Sequence, residues 1–339
     1  MSAPPGRQGA ALAPSAPAVL GEEFREQLLA ALGSTLGRLP DDVVVERSAP
    51  PRSGSYGAEL VTVRPEGEPA VRVFLKDFGE CKHEKDGMRA RRERELHVYR
   101  DLLAHVDLDT PRYLGASWDP SRDHFWLLLE YVEGKPLRHL GFEYWLAAAG
   151  WLGRMRAHLP RPDPRSNTHL VEHDASFFAG VARRALPAVC EAFPGHGERV
   201  RTILREYDAH IPHLGAQPRY LVHGHYRPNN IVMSHDSGRA RLCVTDWEEA
   251  ALGSPLYDLA YLSDGFDPRR LDELVDAYEA ELAKTATASP DRAETLRLIR
   301  CLHVHRNLKT LAKADSPGFS EKGVEKLVSR SEEIVRGLA

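Results

Sequence analysis

Cysteine is scarce: four occur in 339 residues, at Cys81, Cys190, Cys243 and Cys301. None forms a C-x-x-C pair or stands at zinc-ligand spacing to a histidine, so no disulfide framework or common structural zinc site is expected. The thiols read as reduced. Long apolar runs are absent as well. Nothing approaches the ~18 residues that a membrane span requires, and the first residues lack a charged segment followed by an apolar one. The expectation is a cytoplasmic protein with no membrane partner. No single charge sign dominates: 45 Lys and Arg face 49 Asp and Glu, a formal net charge of −4. Such a balance gives no field that would point to nucleic acid. The one local basic run, residues 82–94, reads as a solvated helix face. Repeats at solenoid or propeller periods are also missing.

What is present is ordinary for a globular chain, with 42% hydrophobic and 28% charged residues and enough length for two lobes. Residues 1–20 are rich in Ala, Pro and Gly without periodicity and read as a disordered tail. Phe24, Leu28, Leu29, Leu32 and Leu36 then recur at helical spacing. From residue 42 to 78 the pattern turns to alternating, β-branched segments, with Pro65-Glu66-Gly67-Glu68 as a turn. A helix is expected over residues 86–103 and a strand over residues 125–130. Helices dominate after Pro136, apart from strands around residues 221–245. The reading is an α+β, bilobal protein-kinase-like fold. Residues 21–132 form a β-rich nucleotide-binding lobe, and residues 133–339 a helical catalytic and acceptor-binding lobe.

The chemistry concentrates in Leu221-Val-His223-Gly224-His225-Tyr-Arg227-Pro228-Asn-Asn230 and in Val244-Thr-Asp246-Trp247. Between them Ile231-Val-Met233, a turn at residues 235–238 and residues 240–245 predict a β-hairpin. Antiparallel pairing should bring Asn230 and Asp246 to about 5 Å at its open end. An amide oxygen and a carboxylate are hard ligands that suit Mg²⁺ on a nucleotide. Earlier elements follow in a compatible order. Ser53-Gly54-Ser55-Tyr56-Gly57 precedes a strand, and its amides could approach phosphate oxygens. Lys76 sits on the next strand, placed to grip α/β-phosphates. Glu95 shares a helical stripe with Val98 and Leu102 and is chosen over Glu93 as the partner of Lys76, because a carboxylate on an apolar stripe needs one. The stretch from Leu127 through Glu130 to Val132 would offer its backbone to an adenine edge.

These motifs resemble the aminoglycoside phosphotransferase family, within the wider choline-kinase-like and protein-kinase-like fold. The specific parts are His223-Gly224-x-x-x-Pro228-x-Asn230, Asp246-Trp247-Glu248 and Gly253-x-Pro255-x-Tyr257-Asp258-Leu259-Ala260. The resemblance implies ATP as donor, Mg²⁺, and transfer of the γ-phosphoryl to a hydroxyl. It also implies that Asp258 braces the catalytic loop, with His223 as a structural support. One position departs from the family: His225 stands where the family has Asp as general base. A neutral imidazole can accept a proton near neutral pH, and losing a general base typically costs about 10²–10⁴-fold rather than all activity.

The acceptor is read as a small molecule or as Ser/Thr in a peptide. Relatives in class V lanthipeptide pathways, where a partner lyase eliminates the phosphate, suggest the second case. Glu172, Asp174, Glu248, Glu249 and Asp264 are candidate acids for a cationic acceptor, but His169, His173, Arg161 and Arg165 are mixed among them. Ordinary surface charge is the simpler reading. Phe142, Tyr144 and Trp145 are aromatic candidates for a peptide groove or for core. Cys301, His303, His305 and Arg306 read as helix packing and surface. The alternative from another class is a pseudokinase, a nucleotide-binding scaffold or regulator of a partner protein.

Overall fold

The computed structural model describes residues 21–37, 43–51, 54–81, 86–159, 161, 163, 165–236, 239–285 and 291–338. The expected tail, Ser53, the first four residues of the basic run and part of the turn at residues 235–238 lie outside them. By its contacts the chain divides into Met1–Glu84 with Tyr113–Tyr131, and Lys85–Arg112 with Val132–Ala339.

The first unit is a sheet covered by one helix. Helix α1 (Glu22–Leu36) precedes β1 (Val44–Ser48), β2 (Tyr56–Arg64), β3 (Val71–Cys81), β4 (Tyr113–Asp119) and β5 (His124–Glu130). The sheet order is β1-β2-β3-β5-β4, antiparallel throughout. Period-two alternation sends Val61, Val63, Val73 and Leu75 to one face, where Leu28 and Leu32 of α1 meet them in a single core. Burying each of those leucines contributes roughly 1.5–3 kcal/mol. Lys76 and Phe78 therefore point to the other face. There the Lys76 ammonium lies 5.2 Å from the Tyr56 ring and 5.1 Å from the Phe78 ring. The turn at Pro65 forms as expected, with the Glu68 N–H donating to the Pro65 carbonyl. Strand β4 has no counterpart in the sequence reading. Its bulge at Tyr113/Gly115 breaks the alternation that would have revealed it.

The second unit is mainly helical. It contains α2 (Met88–His97), which continues as a π-helical stretch, Val98–Leu103, then β6 (Lys135–Pro136), α3 (Phe142–His158), β7 (Val171–Glu172), α4 (Ala175–Ala192), α5 (Gly197–Asp208) and α6 (Ile211–Gly215). After these come β8 (Tyr220–Val222), β9 (Ile231–Asp236), β10 (Arg239–Val244), β11 (Ala251–Gly253), α7 (Leu256–Leu262), α8 (Pro268–Leu282), α9 (Arg292–Leu311) and α10 (Glu321–Arg336). Two small sheets, β10-β9-β6 and β7-β11-β8, frame the loop between β8 and β9. Four helices start on side-chain caps: Asp174, Asp267, Asp291 and Ser320 each accept from an N–H three residues on. Helix α10 buries Val324, Val328, Ser331 and Val335 at helical spacing.

Helix α9 is covered on most sides, and three of its polar residues find internal partners. His303 Nε2 meets Ser263 Oγ at 3.1 Å, His305 Nδ1 meets the Tyr207 hydroxyl at 2.9 Å, and Asn307 Nδ2 donates to Ser331 Oγ at 3.0 Å. Burial pushes His303 down to about 4 and His173 down to about 3, so both are neutral in the folded chain.

Two outcomes follow. The unfolded chain binds protons at these histidines as pH falls below about 6.5, whereas the folded chain does not until about 4 or 3. Their stabilising contribution is thus complete above 6.5 and is lost on acidification. Thermal midpoints measured from pH 8 to pH 4.5 should fall, and His303→Asn should lower the midpoint at pH 7 while flattening that slope. Gly115 has φ 152°, and an added Cβ would collide with the Ala31 carbonyl of α1. Gly115→Ala should cost about 2 kcal/mol in urea unfolding.

Candidate active site

The loop between β8 and β9 is held from below by one carboxylate. Asp258, fully buried on α7, accepts the His223 N–H at 2.6 Å on Oδ2 and the Gly224 N–H at 2.9 Å on Oδ1. Burial pushes its carboxyl up to about 7 against the pull of those two donors. Gly224 has φ 75°, and a Cβ there would collide with the Glu249 carbonyl oxygen, so only glycine fits. The His223 ring is oriented at both ends: Nε2 donates to the Thr245 carbonyl at 2.9 Å, and Nδ1 accepts from the His225 N–H at 3.2 Å. A tight turn follows, with the Arg227 N–H on the His225 carbonyl at 2.8 Å and the Asn230 N–H on the Arg227 carbonyl at 2.8 Å.

Asn230 closes this turn with its side chain. Its Nδ2 donates to the His225 carbonyl at 3.1 Å, which leaves Oδ1 as the atom available to a cation. The expected hairpin forms, in register from Arg239↔Asp236 to Val244↔Ile231, and is extended by the Thr245 N–H donating to the Asn230 carbonyl at 2.9 Å. Asp246 is the next residue, with φ 68°. Trp247, fully buried, donates from Nε1 to the Val244 carbonyl and anchors the turn.

Beyond the hairpin, Glu95, Asp246 and Glu248 each offer a carboxylate oxygen within 4.8 Å of the others. Three hard oxygens at this spacing fit Mg²⁺ better than a soft metal. Glu95 is 1% exposed, whereas Glu93 pairs with Arg89 at the surface, so the stripe argument chose the buried acid. Glu248, read from sequence as an acceptor-pocket candidate, belongs instead with the hairpin acid. Its carbonyl also accepts from Arg94 at 2.5 Å. Arg91 lies 3.5 Å from Glu248 and 3.2 Å from Glu249, and Lys309 of α9 donates to Glu249 at 2.5 Å. Burial raises the Glu249 carboxyl, but Lys309, by charge and by hydrogen bond, and Arg91 outweigh it and hold it well below the usual range.

His225 stands at the position read as the base. Burial pushes its imidazole down to about 3, with Glu249 opposing and Arg227 and Lys309 adding to the drop. The ring is neutral and weakly basic, and Nδ1 is buried without a hydrogen-bond partner. It meets the Tyr261 ring edge-on at 6.0 Å.

The structure thus gathers His223, His225, Asn230, Asp246, Asp258 and Glu95 within one unit and adds Glu248, Glu249, Arg91, Arg94 and Lys309. Glu248 had a local signal, standing two residues beyond Asp246. Lys309 had none. In the sheet unit, Lys76 is 8% exposed at the centre of β3, paired with Ala58 on one side and Leu127 on the other. Gly57 is in β2, Gly54 and Ser55 lie just before it, Glu130 ends β5, and Val132 follows two residues later.

Residues 72–295 match the phosphotransferase enzyme family. Viomycin phosphotransferase of Streptomyces vinaceus is 28% identical over 171 residues, which is 49% of this chain and 55% of that protein. The chain therefore spans about half the length of that curated relative. Among solved structures, the streptomycin–ATP ternary complex of APH(2")-IIa has a TM-score of 0.57 at 16% identity, covering 94% of this chain and 99% of that one. A thermostable mutant of APH(4)-Ia in ternary complex with ADP and hygromycin B gives 0.56 at 17%, covering 91% and 97%. These likenesses establish a kinase-like α+β fold.

Asp258→Asn keeps one acceptor but turns an NH₂ group toward a buried backbone N–H. It should cost about 1–3 kcal/mol in denaturant unfolding. The His223 and Gly224 amides should exchange faster with deuterium, while amides of α1 remain unchanged.

Proposed function

Because the chain belongs to the phosphotransferase enzyme family, we propose that it transfers the γ-phosphoryl group of ATP to an alcohol of a small molecule. The observation that carries this reading is the loop held by Asp258, which joins His225 to Asn230 and delivers Asn230 and Asp246 at the open end of one hairpin. In the reaction the acceptor oxygen forms a bond to the γ-phosphorus, the bond to the ADP oxygen breaks, and the hydroxyl proton is released. Bound Mg²⁺ would neutralise phosphate charge. Asn230 Oδ1 and the carboxylates of Asp246, Glu248 and Glu95 are the atoms we assign to hold it.

Lys76 is assigned to the α/β-phosphates, Gly54, Ser55 and Gly57 to the phosphate-facing loop, and the Glu130 and Val132 backbone to the base of the nucleotide. His225 receives the acceptor hydroxyl. With a pKa lowered to about 3 it is a weak base, so its main contribution is to accept a hydrogen bond and orient the attacking oxygen. A peptide hydroxyl with a partner lyase would use the same chemistry; of the aromatic candidates for its groove, the half-buried Phe142 and Trp145 pack on Phe266 at 5.4 and 4.9 Å. The low basicity of His225 favours one second reading, a nucleotide-binding pseudokinase.

Nucleotide-dependent ADP formation under single-turnover conditions separates the two. For the enzyme, Asp246→Ala abolishes transfer and His225→Ala lowers kcat roughly tenfold or more. Undiminished turnover in His225→Ala removes the imidazole from the mechanism. His225→Asp that gains activity where the parent has none identifies the pseudokinase.

A further inference from the structure

We infer that the surface beside His225 is an anion receptor, and that the acceptor alcohol carries a carboxylate or phosphate group near its reactive hydroxyl. This rests on the phosphotransferase reading and names the substrate class for the same site. The Tyr261 ring is the hub. His225 meets it edge-on at 6.0 Å, and three cationic groups surround it: Arg306 at 5.3 Å, Lys309 at 5.8 Å and Arg227 at 5.9 Å. Arg227 comes from the loop itself, two residues past His225, and Arg306 and Lys309 come from α9.

The acids nearby offset these cations only in part, because Arg306 and Lys309 each share their carboxylate with a second cation. Asp264 is bracketed by Arg306 and Arg330, and Glu249 by Lys309 and Arg91. Each carboxylate is thus held between two positive groups. Arg227 is exposed and has no carboxylate ion-pair partner among the described residues. Arg306 Nε is a buried donor without an acceptor. Two further acids that could have greeted a polycation are also engaged elsewhere, Glu172 with Arg219 and Asp174 as the cap of α4. A polycationic acceptor would have to displace arginine or lysine from Asp264, Glu249 and Glu172. An anion meets the unpaired Arg227 and the unsatisfied Nε of Arg306 beside the hydroxyl-binding position.

The test is calorimetric titration of the full chain, without nucleotide, using related alcohols with and without an anionic group. The probes are glucose, glucose 6-phosphate and gluconate, glycerol and glycerol 3-phosphate, and the polycation kanamycin. At least one anionic probe should bind tenfold or more tightly than its neutral partner, more weakly at high salt, and kanamycin should not bind. Arg306→Gln and the exposed Arg227→Gln should each reduce the anionic preference at least fivefold, while Lys76→Ala retains it. No preference for any anionic probe, or tighter binding of kanamycin, overturns the inference. So does a preference that survives both arginine variants but vanishes in Lys76→Ala, since the anion then occupies the nucleotide site. Adding Mg²⁺ and ATP separates the two claims. Anion binding without transfer overturns the phosphotransferase reading and leaves the receptor standing, whereas transfer to kanamycin without anionic preference does the reverse.

Discussion

One buried carboxylate, Asp258, organises the site. Its two oxygens receive the successive N–H groups of His223 and Gly224, and everything downstream takes its direction from that grip. The His223 ring then reaches the hairpin through Thr245, the turn places His225, and Asn230 returns its amide to the His225 carbonyl. A fully buried acid is costly unless its lone pairs are used. Here two donors use them, and the loop has few other conformations that would satisfy all of these groups together.

Local sequence signals revealed much of this. The hairpin was legible because apolar and β-branched segments flank a polar turn, and the paired register follows from that pattern. Glu95 was separable from Glu93 because helical periodicity sorts a buried stripe from a polar one. Strand β4 was not legible, since a bulge at Gly115 interrupts the alternation that marks a strand. The roles of Glu249 and Lys309 were hidden for a different reason. Lys309 meets Glu249 across 60 positions of sequence, and no local pattern encodes which side of α9 will face the loop.

In the helical unit the acids singled out in the sequence are engaged by the protein's own groups. Of the five acids singled out in the sequence, Glu172, Glu249 and Asp264 sit in ion pairs, Asp174 caps a helix and Glu248 joins the carboxylate group of the hairpin. Composition alone could not reveal this, because a net charge of −4 says nothing about which carboxylates remain available. The resemblance to complexes with hygromycin B or streptomycin is a likeness of fold.

Asp246 occupies left-handed backbone, a conformation that a side chain with a Cβ disfavours and glycine accepts readily. Glycine would relax the main chain there, yet it would remove the carboxylate that stands beside those of Glu95 and Glu248. The fold tolerates local strain of about 1–3 kcal/mol at this position because Trp247 beside it is locked into the core. Under the proposed chemistry, selection for robustness and selection for transfer pull on one residue in opposite directions, and a sturdier descendant of this protein that relaxed position 246 would give up the reaction.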